Sequence, residues 1–191
     1  HYAKTVLFEI LTGNMEPDEG TFTWGVTTSL SYFPKNNSHL FTEHISITDW
    51  LREYSEDKDD TYIRSFLGRM LFSGDEALKD CTVLSGGEKV RCVLSRMMLE
   101  QANCLIFDEP TSHLDLEAIT ALNNALIDFT GVLLFNSHDH QFVESIANRI
   151  IEFTPNGVID RMMGFEDYFN DESIKALRDE KYSGSHHAIA L

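Results

Sequence analysis

Ser85-Gly86-Gly87-Glu88 opens an amphipathic stretch, and one helix-length later Leu105-Ile106-Phe107 runs into Asp108-Glu109-Pro110-Thr111. Small residues at a helix start expose backbone amides, which hold a phosphate without side-chain bulk. An apolar strand ending in two carboxylates offers one group to hold Mg²⁺ and one to polarise a water. Each motif also has a plain structural reading: Ser85-Gly86-Gly87 as a helix cap with a flexible turn, Asp108-Glu109 as loop carboxylates at a strand end. Together, and followed by Ser112-His113-Leu114-Asp115, they point to nucleotide hydrolysis.

The elements that must position these groups follow from periodicity. Val90, Val93, Leu94 and Met97 form one face of a helix. Residues 104–107 read as a buried strand, 116–129 as a helix (Ile119, Leu122, Leu126), and 132–135 as a second buried strand. Continuous apolar strands alternating with helices predict an α/β fold with a mostly parallel sheet covered on both faces. A helix over 139–147 and a strand over 149–153 follow, and Pro155-Asn156-Gly157 turns the chain into Val158-Ile159-Asp160. Upstream, Leu7, Phe8 and Leu11 predict a helix that Gly13 ends, and two strand-like runs cover 21–26 and 28–33.

Residues 46–80 read as a helical insert. Ser46 or Thr48 caps a first helix carrying Trp50, Leu51 and Tyr54. Ile63, Phe66, Leu67, Met70 and Leu71 then mark a second. Beyond Phe165, Tyr168 and Phe169 the periodicity is lost, and Ser183-Gly184-Ser185-His186-His187 reads as a loose tail.

Composition narrows the class. A chain of 191 residues with 42% apolar content suits one good core or two small ones. No apolar run is long enough to span a bilayer, which excludes a membrane-embedded function for the stretch itself. Three cysteines, Cys81, Cys92 and Cys104, are odd in number and lack metal-site spacing; Cys92 and Cys104 sit in apolar stretches and read as buried thiols, which predicts a reducing, cytoplasmic compartment. A net charge of −16 opposes a simple nucleic-acid binder, because backbone affinity needs Lys and Arg.

Leu84-Ser85-Gly86-Gly87-Glu88 resembles the signature motif of ATP-binding-cassette (ABC) ATPases. Residues 105–115 resemble their Walker B motif and D-loop, and Asn136-Ser137-His138-Asp139 stands where that family carries its switch histidine. Glu88 with Ser112-His113-Leu114-Asp115 resembles the ABC-F group, soluble twin-cassette ATPases that act on the ribosome. Trp24-Gly25-Val26-Thr27 and Ser31-Tyr32-Phe33-Pro34 resemble the second cassette of such proteins around the Q-loop. The resemblance implies a P-loop NTPase-like cassette over residues 1–170 with a helical subdomain at about 41–80 and a tail over 171–191. It implies ATP and Mg²⁺ as cofactors, with Thr5 and Asp108 on the metal, Glu109 as general base and His138 sensing the γ-phosphate. Lys4, Thr5 and Lys35 would face nucleotide. Ser85, Gly86, Gly87 and Glu88 would act on a nucleotide held by the other ABC cassette, in the same parent chain or a second copy. A ribosome or rRNA partner follows from the resemblance alone, and no membrane is implied.

Two departures open an alternative. Lys35 replaces the usual Q-loop Gln, and an ammonium cannot ligate Mg²⁺ as an amide oxygen does. Of the phosphate-loop pattern G-x-x-x-x-G-K-[ST], only Ala3-Lys4-Thr5 matches, with Ala3 for the last Gly and His1 where the family has Gly. With no initiator Met, this predicts a fragment cut inside the loop, lacking the strand before it. Besides one half of an ABC-F ATPase, the chain is therefore open to a second reading, an inactive truncated cassette serving at most as an interaction module. A third, the nucleotide-binding subunit of a transporter, is disfavoured by Ser112-His113-Leu114-Asp115 and by Glu88.

Overall fold

The computed structural model describes residues 2–183, and the chain divides into two compact units, one ending at His138 and one beginning at Asp139. The first unit is built on three parallel strands in the order β1 (Leu30–Phe33), β2 (Cys104–Asp108), β3 (Val132–Asn136). Phe33 pairs with Phe107, and Asp108 with Asn136, so the strands end together at one edge of the sheet. Parallel strands that stop in register set their terminal side chains around one crevice, the usual ligand position in open α/β sheets.

Every residue of the central strand β2 is buried. Helix α1 (Tyr2–Leu11) packs on β2 and buries Phe8, as the helical spacing at 5–11 predicts. Strand β3 departs from expectation. Val132 is 56% exposed, the next three residues are half-buried and only Asn136 is buried. The apolar run fixed the strand but not its burial, because β3 lies at the edge of the sheet among the described residues. The strand-like run at 21–26 is likewise not a strand. Its residues are exposed and unpaired in the sheet, although Trp24 donates its indole N–H to the Leu11 carbonyl.

The helical insert comprises α2 (Ile47–Glu53) and α3 (Asp60–Arg69), which pack on each other and on α4 (Gly86–Glu100). Ser46, not Thr48, caps α2 by accepting from the Asp49 amide; Thr48 is buried and donates to the Ala77 carbonyl at 2.6 Å. Ile63, Phe66, Leu67 and Met70 are buried, but α3 ends at Arg69. Leu71 sits at φ 66°, a left-handed conformation uncommon for a branched side chain. Arg91 of α4 donates to the Met70 and Leu71 carbonyls and lies over the Phe72 ring, fixing that turn to the helix that begins at Gly86.

Helix α5 (Leu116–Ile127), capped by Asp115, completes the first unit. The second unit holds α6 (His140–Ile146), the antiparallel hairpin β4 (Ile150–Thr154) and β5 (Gly157–Arg161), then α7 (Phe165–Asn170) and α8 (Glu172–Tyr182). Its core is Ile159, Tyr168 and Ile174, packed against Ile150, Met163 and Leu177. Glu152 gathers Tyr168, Tyr182 and Arg178 around one carboxylate. Residues 172–182 are thus helical although their periodicity is weak, because one buried residue, Ile174, and the Asp171 cap suffice to seat the helix. Most of the stretch read as a loose tail, from Gly184 on, lies outside the described residues.

Candidate functional site

Asp108 ends β2 fully buried, where an unpaired carboxylate would be costly. Its two oxygens are taken separately. Oδ2 accepts from the Thr5 hydroxyl at 2.7 Å, and Oδ1 accepts from the Asn136 side-chain amide at 3.0 Å. Asn136 in turn accepts from the Lys4 ammonium at 3.0 Å through its Oδ1. Four residues from three elements therefore close one polar network: Lys4 and Thr5 from the first turn of α1, Asp108 from β2 and Asn136 from β3. The amide orientation is fixed by charge, since only one end of Asn136 can accept from a cation and only the other can donate to a carboxylate.

Glu109 follows immediately, also buried, with φ 56°. A non-glycine residue held in this region stores strain of about 1–3 kcal/mol and persists only when its surroundings impose it. The surroundings do so here. The Glu109 amide donates to the Asn136 carbonyl, extending the β2–β3 ladder by one bond, and its own carbonyl accepts from the Ser112 amide and hydroxyl. The Glu109 Oε1 atom lies 3.0 Å from His138 Nε2. That approach is an ion-pair distance without hydrogen-bond alignment, since Oε1 is buried and accepts no aligned bond among the described residues. Such an oxygen is suited to accept a proton from a water. The Thr111 and Ser137 hydroxyls, 3.0 Å apart, tie the Glu109 turn to the loop carrying His138.

The small-residue motif stands at the start of α4. Ser85 and Glu88 form a reciprocal capping box, each accepting from the other's backbone amide, and Lys79 pairs with Glu88 at 2.5 Å. The Lys79 ammonium, foremost, and the Ser85 bonds hold the Glu88 carboxyl down at about 2. Gly87 has a packing reason as well: a Cβ there would come 2.8 Å from the His113 carbonyl oxygen, whereas at Gly86 the nearest atom would be 4.0 Å away.

The structure thus brings together Lys4, Thr5, Asp108, Glu109 and His138, and leaves two predicted parts apart. Ser85, Gly86, Gly87 and Glu88 make no side-chain bond to the Asp108 network among the described residues. Lys35 is exposed, two residues beyond the end of β1. Sequence reasoning missed Asn136 as a member of the site. It also missed His113, whose backbone and ring lie against Gly87 and Gly86.

The donor set suits Mg²⁺. That ion takes one or two protein oxygens and keeps its other positions for water and phosphate, and the Thr5 hydroxyl and Asp108 carboxylate supply such a pair. No group of three or more His, Cys, Asp or Glu side chains forms a self-sufficient metal site among the described residues. No helix among them is long and apolar enough to cross a membrane.

A parallel α/β sheet with a lysine, a hydroxyl and two carboxylates at its strand ends defines a nucleotide-binding ATPase fold. The chain belongs to the ATP-binding-cassette family: the family described as "ABC transporter" matches residues 3–112. It is 57% identical over 183 residues to the uncharacterized ABC transporter ATP-binding protein YkpA of Bacillus subtilis, covering 95% of this chain and 34% of that one. It is 33% identical over 171 residues to the energy-dependent translational throttle protein EttA of Escherichia coli K12, covering 86% of this chain and 30% of that one. The fold is similar to archaeal ribosome recycling factor aABCE1, solved in complex with the ribosomal stalk protein aP1. That likeness has a TM-score of 0.71 at 23% identity, over 92% of this chain and 35% of the other. The chain spans about a third of the length of the curated relatives it matches.

Proposed function

We propose that the chain is one ATP-binding cassette, over residues 1–170, of an ABC-F-type ATPase that couples ATP hydrolysis to an event on the ribosome. The observation that carries the ATPase reading is the Thr5–Asp108 contact at 2.7 Å beside the buried, strained Glu109 and its His138 neighbour. Lys4 and Thr5 bind and orient the phosphates, Thr5 and Asp108 hold Mg²⁺, and Glu109 takes the proton of the attacking water. Bound Mg²⁺ supplies neutralisation of phosphate charge. His138, 63% exposed along its side chain and 3.0 Å from Glu109, reports phosphate at the site. Ser85, Gly86 and Gly87 offer the amides of α4 to a nucleotide on a second cassette, and Glu88 keeps that helix start rigid. Lys35, exposed two residues beyond β1, is assigned to the nucleotide by the Q-loop resemblance alone.

The translational reading is supported by the likeness to EttA and by the Glu88 and His113-Leu114-Asp115 pattern. A net charge of −16 leaves little basic surface here, so contact with rRNA falls to a local patch or to other parts of the whole protein. The proposed setting is the cytoplasm. The likeness to YkpA, named as an ABC transporter ATP-binding protein, supports a second reading, a transporter's ATP-binding subunit.

The test uses the full-length protein. Glu109→Gln is expected to lower ATP turnover about a hundredfold or more while leaving nucleotide binding intact. Unchanged turnover removes Glu109 from its role. Sedimentation of the Gln variant with ribosomes in ATP supports the translational reading, whereas sedimentation with membranes supports the transporter.

A further inference from the structure

Asn136 is buried, ends an edge strand, and uses both ends of its amide on the two charges that matter most in the site. None of the motifs requires an amide at this position. Lys4 and Asp108 carry opposite charge, and both converge on this one side chain. Without a spacer, an ammonium and a carboxylate so placed would pair directly, and each would lose what it needs for a ligand. The amide prevents this by occupying one donor of Lys4 and one oxygen of Asp108. Two Lys4 protons have no partner among the described residues and are left for phosphate, and Asp108 Oδ2 stays turned toward Thr5.

We propose that Asn136 is a positioning residue that holds Lys4 and Asp108 apart and oriented, so that the site is preorganised for a metal–nucleotide complex. The proposal rests on the nucleotide-binding reading above and deepens it. Few side chains can serve. Leu has the volume but neither bond. Asp keeps the acceptor for Lys4 but opposes Asp108 with a like charge, and Ser can both donate and accept but reaches less far.

Two measurements on the full-length protein test this. The first is binding of a fluorescent ATP analogue against Mg²⁺ concentration. Asn136→Leu is expected to raise the Mg²⁺ half-saturation point about tenfold. Asn136→Ser should recover part of the loss. The second needs no nucleotide. With ¹⁵N-labelled asparagine, the Asn136 side-chain amide signals should move in both Lys4→Met and Asp108→Asn.

A wild-type protein that binds no nucleotide counts against the function proposed above, and the amide signals then decide this inference alone. They decide it also if Asn136→Leu fails to fold. A Mg²⁺ half-saturation within twofold of wild type in a folded Asn136→Leu overturns the proposal. So do amide signals that stay fixed in either neighbour variant.

Discussion

At the scale of single residues, the site depends on backbone positions that a side-chain inventory does not show. Glu109 holds a left-handed conformation because its amide stays in the β2–β3 ladder while its carbonyl already belongs to the turn through Ser112. The same turn carries His113 to the start of α4, where its carbonyl leaves no room for a side chain at position 87. Gly86 and Gly87 look equivalent in sequence, yet they are not equivalent in space. Gly87→Ala forces a 2.8 Å approach to backbone and is expected to cost about 1–3 kcal/mol. Gly86→Ala meets nothing closer than 4.0 Å and is expected to be neutral or slightly stabilising, since alanine loses less chain entropy in a helix. Urea unfolding of the two variants checks the pair, and equal stabilities would remove the His113 contact as the reason for Gly87. The motifs made Asp108, Glu109 and Ser85 legible, because type and spacing carry their chemistry. Asn136 was not legible as a site member. Its bond to Lys4 joins residues 132 apart in sequence, and only the packing of α1 on the sheet brings them together.

At the scale of elements, α4 shows how one helix serves two neighbours. Its body is tied to the helical insert through Arg91, while its first turn is held by the Ser85–Glu88 box and Lys79. Glu88 is held down at about 2, well below its ordinary carboxylate value, chiefly by Lys79. A lowered folded-state value means stability that is fully present above the unfolded carboxylate's value and lost as pH falls toward 2. Glu88→Gln is therefore expected to be less stable than wild type at pH 6, with the difference closing between about pH 4.5 and pH 2. Denaturant titrations at three pH values measure it, and a gap that persists at pH 2 would assign the effect to shape rather than charge. Element types were legible wherever periodicity was strong, as in α3, α4 and β2. Burial was not, because β3 and β2 share one apolar pattern while their places in the sheet differ.

At the scale of the whole molecule, charge is the dominant unbalanced quantity. The chain has 31 acidic residues against 15 basic ones. Several of the basic residues are spent locally, as Arg52 on Asp49 and Asp60, Arg149 on Asp160, and Lys175 on Glu172. Exposed pairs of this kind contribute about 0–1 kcal/mol each. The remaining acidic excess repels itself over longer distances, which opposes the compact state. The two contributions respond to salt with opposite sign. Screening weakens the local pairs slightly, but shortening the Debye length from about 30 Å at 0.01 M to about 10 Å at 0.1 M removes much of the long-range repulsion. Repulsion should win, because exposed pairs are individually weak and the acidic excess is large. The melting temperature is thus expected to rise by a few degrees over that range, followed by circular dichroism in monovalent salt without Mg²⁺. A melting temperature that falls with salt would mean that the local pairs outweigh the net field, and that the acidic surface does not limit stability.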